Sequence, residues 1–223
     1  MVITLGNIVF GGKGNGGGAP AAYVVPDGMK FGYSTSFPFD GLDFSQKKNF
    51  INCWKSCSSL TSFPMLDLSA GTNFRSAWES CTKLTEFPAL NLSSGSNFYY
   101  AWFNCTSLTE FPQVDLSNGK DFTNAWYGCS ALTSIGQLDL SSGTNFYSTW
   151  SNCKALTNLG GFGAIKADID LSASTKLTVE SMMNIINQAA TVTGKTMKFG
   201  STNLNKLTDE QKAVATNKGW TLA

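Results

Sequence analysis

Five cysteines, Cys57, Cys81, Cys105, Cys129 and Cys153, recur every 24 residues, and a sixth, Cys53, stands four positions before the first. Thiols in that number could form disulfides, hold a metal or act as nucleophiles. Their spacing opposes these chemistries. Zinc needs four convergent ligands at short loop spacings, and a 24-residue ladder in a chain with 0 histidines offers no such set. A Cys53–Cys57 bridge on an intact helix fails on Cβ geometry. Each column cysteine follows a tryptophan of the series Trp54, Trp78, Trp102, Trp126 and Trp150 and precedes a leucine of the series Leu60, Leu84, Leu108, Leu132 and Leu156. Cys53 holds the column of Ala77, Ala101 and Ala125, so that position demands smallness. Buried thiols behave there as small apolar groups, and all six cysteines are expected to be packed and reduced.

A second column, Asp43, Asp67, Asn91, Asp115 and Asp139, offers carboxylates at the same period. On adjacent strands they would stand about 4.8 Å apart and repel one another. Either calcium sits between them, or each side chain accepts a backbone N–H in the "LSxG" turn that follows. Asn91 serves in the same column, which favours the turn. A third column, Asn49, Asn73, Asn97, Asp121 and Asn145, stands where a helix would need its first N–H groups capped. No metal or other cofactor is expected.

Whole-chain composition narrows the function further. The absence of histidine removes the commonest general base, and no nucleophile–base pair stands out, so the chain is expected to be non-enzymatic. Sixteen Lys and Arg against 15 Asp and Glu, with no basic cluster, argue against a nucleic-acid partner. No apolar run approaches 18 residues, which argues against membrane insertion, and the N-terminus does not read as a secretory signal.

The elements that must position these columns follow from the repeat. Within one unit Phe74, Ala77, Trp78, Cys81 and Leu84 form the apolar stripe of a short helix. "EFPALNLSS" then predicts a strand, with Leu90 and Leu92 on one face and Asn91 on the other. Gly71, Gly95, Gly119 and Gly143 mark the turn back. No unit can bury its stripe alone, so the fold expected is an α/β solenoid, with a parallel sheet on one side and short helices on the other. Four segments result: an attachment peptide and Gly-rich linker over 1–18, an N-terminal cap over 19–40, five repeats over 41–160, and irregular capping repeats over 161–223. In the last segment Thr178 is placed to start one helix, Thr208 to Gln211 form a capping box for another, and Gly219 ends it.

The outward helix face departs from the repeat. Tyr99, Tyr100, Phe103, Tyr127 and Tyr147 stand among columns that carry Arg75, Ser76 and Glu79 in an earlier unit. Exposed rings in that number exceed what solubility needs. They form a contact surface for glycan or protein, or else they cover gaps between helices. The strand-face column of Asp67, Asn91, Asp115 and Asp139 is the alternative site, since solenoids often bind through a concave face. Ile3, Leu5, Ile8, Val9 and Phe10, followed by "GGKGNGGG", read as an apolar peg on a flexible spacer.

The unit "GTNFRSAWESCTKLTEFPALNLSSGS", residues 71–96, resembles the leucine-rich-repeat units of BspA-like bacterial surface proteins, over roughly residues 37–160. An aromatic-rich "AW..C..L" stands where that family often has Met-Phe before its cysteine. The lead-in "VPDGMKFGYST" and the ending "LTVESMMNIINQAA…STNLNKLTDEQKAVATNKGWTLA" look more like bacteriophage tail and fibre proteins that carry such repeats. The resemblance implies a leucine-rich-repeat virion component, on a tail or head fibre. It would join other virion proteins through its N-terminus and present the repeats to a host surface glycan or protein, with homo-oligomerisation left open. The alternative is a bacterial cell-surface adhesin, a reading weakened by the lack of recognisable export and anchoring segments.

Overall fold

The computed structural model describes residues 3–5, 8–10, 22–32, 39 and 41–223. The architecture is one of small parallel sheets with few helices, and no closed barrel forms among the described residues. β1 (Ile3–Leu5) and β2 (Ile8–Phe10) pair antiparallel, so the proposed peg is a two-stranded hairpin and not one strand. The side chains of Ile3, Leu5, Ile8, Val9 and Phe10, the glycine-rich stretch 11–18 and the cap residues 33–38 lie outside the described residues. β3 (Tyr23–Val24) pairs in parallel with β4 (Leu42–Asp43), which joins the cap to the repeats.

From residue 41 to residue 160 the described chain contains no helix. This corrects the expected helical layer. Phe74 to Cys81 instead forms two consecutive four-residue turns, closed by Ala77 N–H donating to the Phe74 carbonyl at 3.0 Å and Cys81 N–H donating to that of Trp78 at 3.2 Å. The third residue of each turn has positive φ: Asn52, Ser56, Ser76, Ser80, Tyr100, Asn104, Asn124, Gly128, Ser148 and Asn152. Turns with that feature favour Gly or Asn at the position. Alternate N–H groups are bonded to the next repeat, as in Phe74 to Asn97, Ser76 to Tyr99, Trp78 to Ala101 and Ser80 to Phe103, at 2.7–2.9 Å. Packed α-helices need about 8–10 Å between axes, whereas bridged strands lie about 4.8 Å apart, so helices could not stack at the sheet's own spacing. Two turns place the same residues inward and keep the shorter spacing.

The strand is also shorter than expected and earlier in the unit. β5 (Glu110–Phe111), β6 (Ser134–Ile135) and β7 (Asn158–Leu159) form a three-stranded parallel sheet, extended by the bridges Ser62↔Glu86 and Glu86↔Glu110. The proline that follows Phe87 and Phe111 lacks an N–H to continue the ladder. Leu90 and Leu92 are nevertheless buried and Asn91 exposed, as the alternation requires. A second line of parallel bridges runs through Asn49, Asn73, Asn97, Asp121 and Asn145 on the turn side. Both sides of the array are therefore bridged between repeats. No helical layer stands opposite the strands in this part of the chain.

Three aromatic ladders fill the interior. Trp54, Trp78, Trp102, Trp126 and Trp150 stack with ring centroids 5.1–6.3 Å apart. Phe50, Phe74, Phe98, Phe122 and Phe146 stack at 5.0–5.5 Å beside them. Phe63, Phe87 and Phe111 meet the indoles nearly edge-on, at 4.7–5.4 Å. The buried indole N–H groups of these five column tryptophans have no hydrogen-bond partner, whereas that of Trp220 donates to the Ala190 carbonyl at 2.8 Å. Gly71, Gly95, Gly119 and Gly143 are small because of the second ladder: a Cβ on Gly95 would lie 2.4 Å from the Phe98 ring.

After residue 160 the chain changes style. β8 (Ile169–Asp170) pairs in parallel with β9 (Lys195–Lys198), which pairs in parallel with β10 (Trp220–Leu222). α1 (Val179–Gln188) starts at Thr178, whose hydroxyl accepts the Ser181 N–H at 3.1 Å. α2 (Ser201–Leu204) is a short helix. α3 (Asp209–Asn217) begins with the Thr208–Gln211 capping box, and Gly219 follows it at φ 82°. Gln137 and Gln188 exchange amide hydrogen bonds at 2.8 and 3.1 Å, which fasten α1 to the last repeats. No described helix is long and apolar enough to cross a membrane.

Candidate functional site

The outward rings sit on three columns of the turn pair. The first holds Ile51, Arg75, Tyr99, Thr123 and Tyr147; the second Asn52, Ser76, Tyr100, Asn124 and Ser148; the third Lys55, Glu79, Phe103, Tyr127 and Ser151. Tyr99 stacks on Tyr100 at 4.4 Å, Tyr100 on Phe103 at 4.6 Å, and Phe103 on Tyr127 at 5.0 Å. The Arg75 guanidinium lies 4.8 Å over the Tyr99 ring and lengthens the strip by one repeat. All four rings are half-buried. With no helix there, Tyr100 stacks on both Tyr99 and Phe103 and joins them. Burial, helped by the Tyr99 hydroxyl, raises the Tyr100 phenol above its ordinary value.

Tyr100 is the unusual member. Its φ is 59°, in a column otherwise filled by Asn and Ser. A bulky side chain in the left-handed region is a strained choice that surrounding structure must enforce. The third column also changes character along its length, from the Lys55–Glu79 ion pair at 2.8 Å to the Phe103–Tyr127 stack.

Tyr147 stands apart from the strip. It is 72% exposed, and it borders a cleft of about 420 Å³ between the last repeat and β8 and β9. Asn145, Ser148, Asp168, Asp170, Lys195 and Lys198 share that cleft. None of those charged residues was singled out in the sequence, because only the parallel pairing of β8 with β9 sets them opposite the fifth repeat.

The acidic column follows the turn alternative. Oδ1 of Asp43, Asp67, Asn91, Asp115 and Asp139 each accepts the backbone N–H of the serine two residues on, at 2.9–3.1 Å. The serine hydroxyl and N–H hold the Asp67 and Asp115 carboxyls below their ordinary value. Asp170, missed in the sequence because the period breaks, repeats the motif with Ser172 at 2.9 Å. Asp115 and Asp139 line a shallower cleft of about 660 Å³ with Gln113 and Gln137. Among the described residues no group of His, Cys, Asp and Glu could hold a metal ion. The third column caps as foreseen in chemistry, though at a turn: Oδ1 of Asn73 and Asn97 accept the N–H of Arg75 and Tyr99 at 3.1 and 3.0 Å.

The cysteines are buried, and none is disulfide-bonded. Each also donates its thiol proton to a backbone carbonyl of the preceding unit, as Cys81, Cys105, Cys129 and Cys153 do to Trp54, Trp78, Trp102 and Trp126 at 3.0–3.2 Å. That donor role went unread in the sequence, since packing alone accounts for small residues there. No protein-family model, no curated protein and no solved structure matches the chain.

Proposed function

We propose that the five repeats form a solenoid of the leucine-rich-repeat type, with turn pairs in place of helices, and that it displays the aromatic strip as a non-enzymatic contact surface. The carrying observation is the continuous stack Tyr99–Tyr100–Phe103–Tyr127, which includes a tyrosine at positive φ. Interior columns repeat Trp, Cys and Phe faithfully, as packing demands, while these outward columns change residue class. Aromatic faces supply contact area at little conformational cost and stack well on sugar rings. The setting that fits is a bacteriophage tail or head fibre, with the N-terminal hairpin joining other virion proteins and the strip meeting a host envelope glycan or protein.

The test is binding of the purified chain to lipopolysaccharide, capsule and wall fractions from a panel of bacteria. The variant Tyr99→Ser/Phe103→Ser/Tyr127→Ser, shown by circular dichroism and melting to be folded, should bind its best fraction at least tenfold more weakly. Binding equal to that of the parent chain would deny the strip this role.

A further inference from the structure

We infer that the cleft beside Tyr147 is a binding pocket for an uncharged pyranose sugar, an inference that rests on the reading of the strip as a display surface. The cleft lies on the same turn-side columns as the strip: Tyr147 continues the Tyr99 column two repeats on, about 10 Å away at the spacing of bridged strands. An extended saccharide lying on the strip would therefore be led to it.

The walls are built for hydroxyl groups. Lys195 Nζ lies 3.5 Å from Asp168 Oδ2, and Lys198 Nζ lies 3.1 Å from Asp170 Oδ2. The other oxygen of each carboxylate is fixed by backbone, Asp168 Oδ1 by the Thr196 N–H at 2.7 Å and Asp170 Oδ1 by the Ser172 N–H at 2.9 Å. The carboxylates are thus held in place before any ligand arrives, and their paired faces remain open to solvent, with all four side chains between 41% and 60% exposed. Ion pairs so exposed add little to stability.

Two cations and two anions in one cleft disfavour a charged ligand of either sign. A hydroxyl group meets both, since it accepts from an ammonium and donates to a carboxylate. The exposed Tyr147 ring then offers the flat face on which the apolar side of a pyranose stacks. A volume of about 420 Å³ falls within the range of small-molecule sites, roughly 300–1,000 Å³. The cleft of Asp115 and Asp139 offers neither such a ring nor a cation to pair with its carboxylates.

The experiment is saturation-transfer and chemical-shift NMR on the full chain. Its neutral probes are the methyl glycosides of glucose, galactose, mannose and N-acetylglucosamine; the anionic probe is the methyl glycoside of N-acetylneuraminic acid. One or more neutral probes should bind with millimolar or better affinity. Tyr147→Ser and Asp168→Asn should each weaken that binding at least tenfold, while Met65→Ser, at an exposed residue outside both the strip and the cleft, leaves it within twofold. Absence of binding by every neutral probe, preference for the anionic one, or unchanged binding in Tyr147→Ser would overturn the pocket. The two readings fail separately. A strip variant that binds envelope fractions normally removes the display reading even where the pocket takes sugar, and loss of envelope binding with no sugar in the cleft removes the pocket alone.

Discussion

Cys105 donates its thiol proton to the Trp78 carbonyl at 3.2 Å, across 27 residues of sequence and one repeat of structure. The contact explains why a column that needs only a small residue holds cysteine rather than alanine. It adds a second donor to the Trp78 carbonyl, which also accepts the Cys81 N–H that closes the turn, and so ties the turn of one unit to the next. The adjacent column reaches the same end with oxygen, where the buried Thr149 hydroxyl donates to the Phe122 carbonyl at 2.9 Å.

Burial pushes the Cys105 and Cys153 thiols up to about 12, so little thiolate forms at neutral pH. Native protein should show almost no reaction with a thiol-counting reagent at about pH 8, and six thiols should react after unfolding in guanidinium. Rapid reaction of several thiols in the native state would place the column at the surface. Cys105→Ala should cost about 1–2 kcal/mol, through the lost donor and a small void.

Trp102 lies between Trp78 at 5.3 Å and Trp126 at 5.1 Å, with Phe111 at 4.7 Å to its side. Trp102→Ala should destabilise by about 3–5 kcal/mol, since neighbours fixed on both sides cannot collapse into the cavity. Denaturant titration measures it, and a loss below about 1 kcal/mol would contradict the ladder.

Tyr100 carries two opposed contributions. Its left-handed backbone costs about 1–2 kcal/mol relative to an ordinary conformation, and its two ring stacks return about 0.5–1.5 kcal/mol each. Tyr100→Asn, which suits the φ of 59°, should therefore change stability by no more than about 1 kcal/mol while weakening envelope binding. A loss above about 2 kcal/mol would mark the ring as packing rather than display.

Asp67 and Asp115 have folded-state pKa values below the ordinary Asp value of 3.8, through the Ser69 and Ser117 hydrogen bonds. The unfolded state then binds protons first, so this stability is full above the ordinary value and is lost as pH falls through the folded one. Asp67→Asn/Asp115→Asn should be somewhat less stable than the parent chain at neutral pH, because the amides keep the turn bonds but not their charge, and should lose less stability between about pH 4 and about pH 2. Parallel melting curves against pH decide it; equal acid sensitivity would remove these two carboxylates as a cause.

The 24-residue period, the inward columns, the burial of the cysteines and the caps at Thr178 and Thr208 are legible in the sequence, because each depends on residues close along the chain. Phe74, Ala77, Trp78 and Cys81 announce an inward stripe equally well for a helix and for two consecutive turns. Asn, Ser and Gly at Asn52, Ser56, Asn104 and Gly128 were the local sign of turns, being weak helix formers that tolerate positive φ. What decided between the two was the next repeat, whose carbonyls take every second N–H at a spacing too close for helices. That choice lies in hydrogen bonds between residues 23 positions apart, which no local propensity encodes. The Tyr147 cleft was illegible for the same reason: Lys195 and Lys198 reach it only because β9 pairs with β8, after the period that made the rest readable has ended.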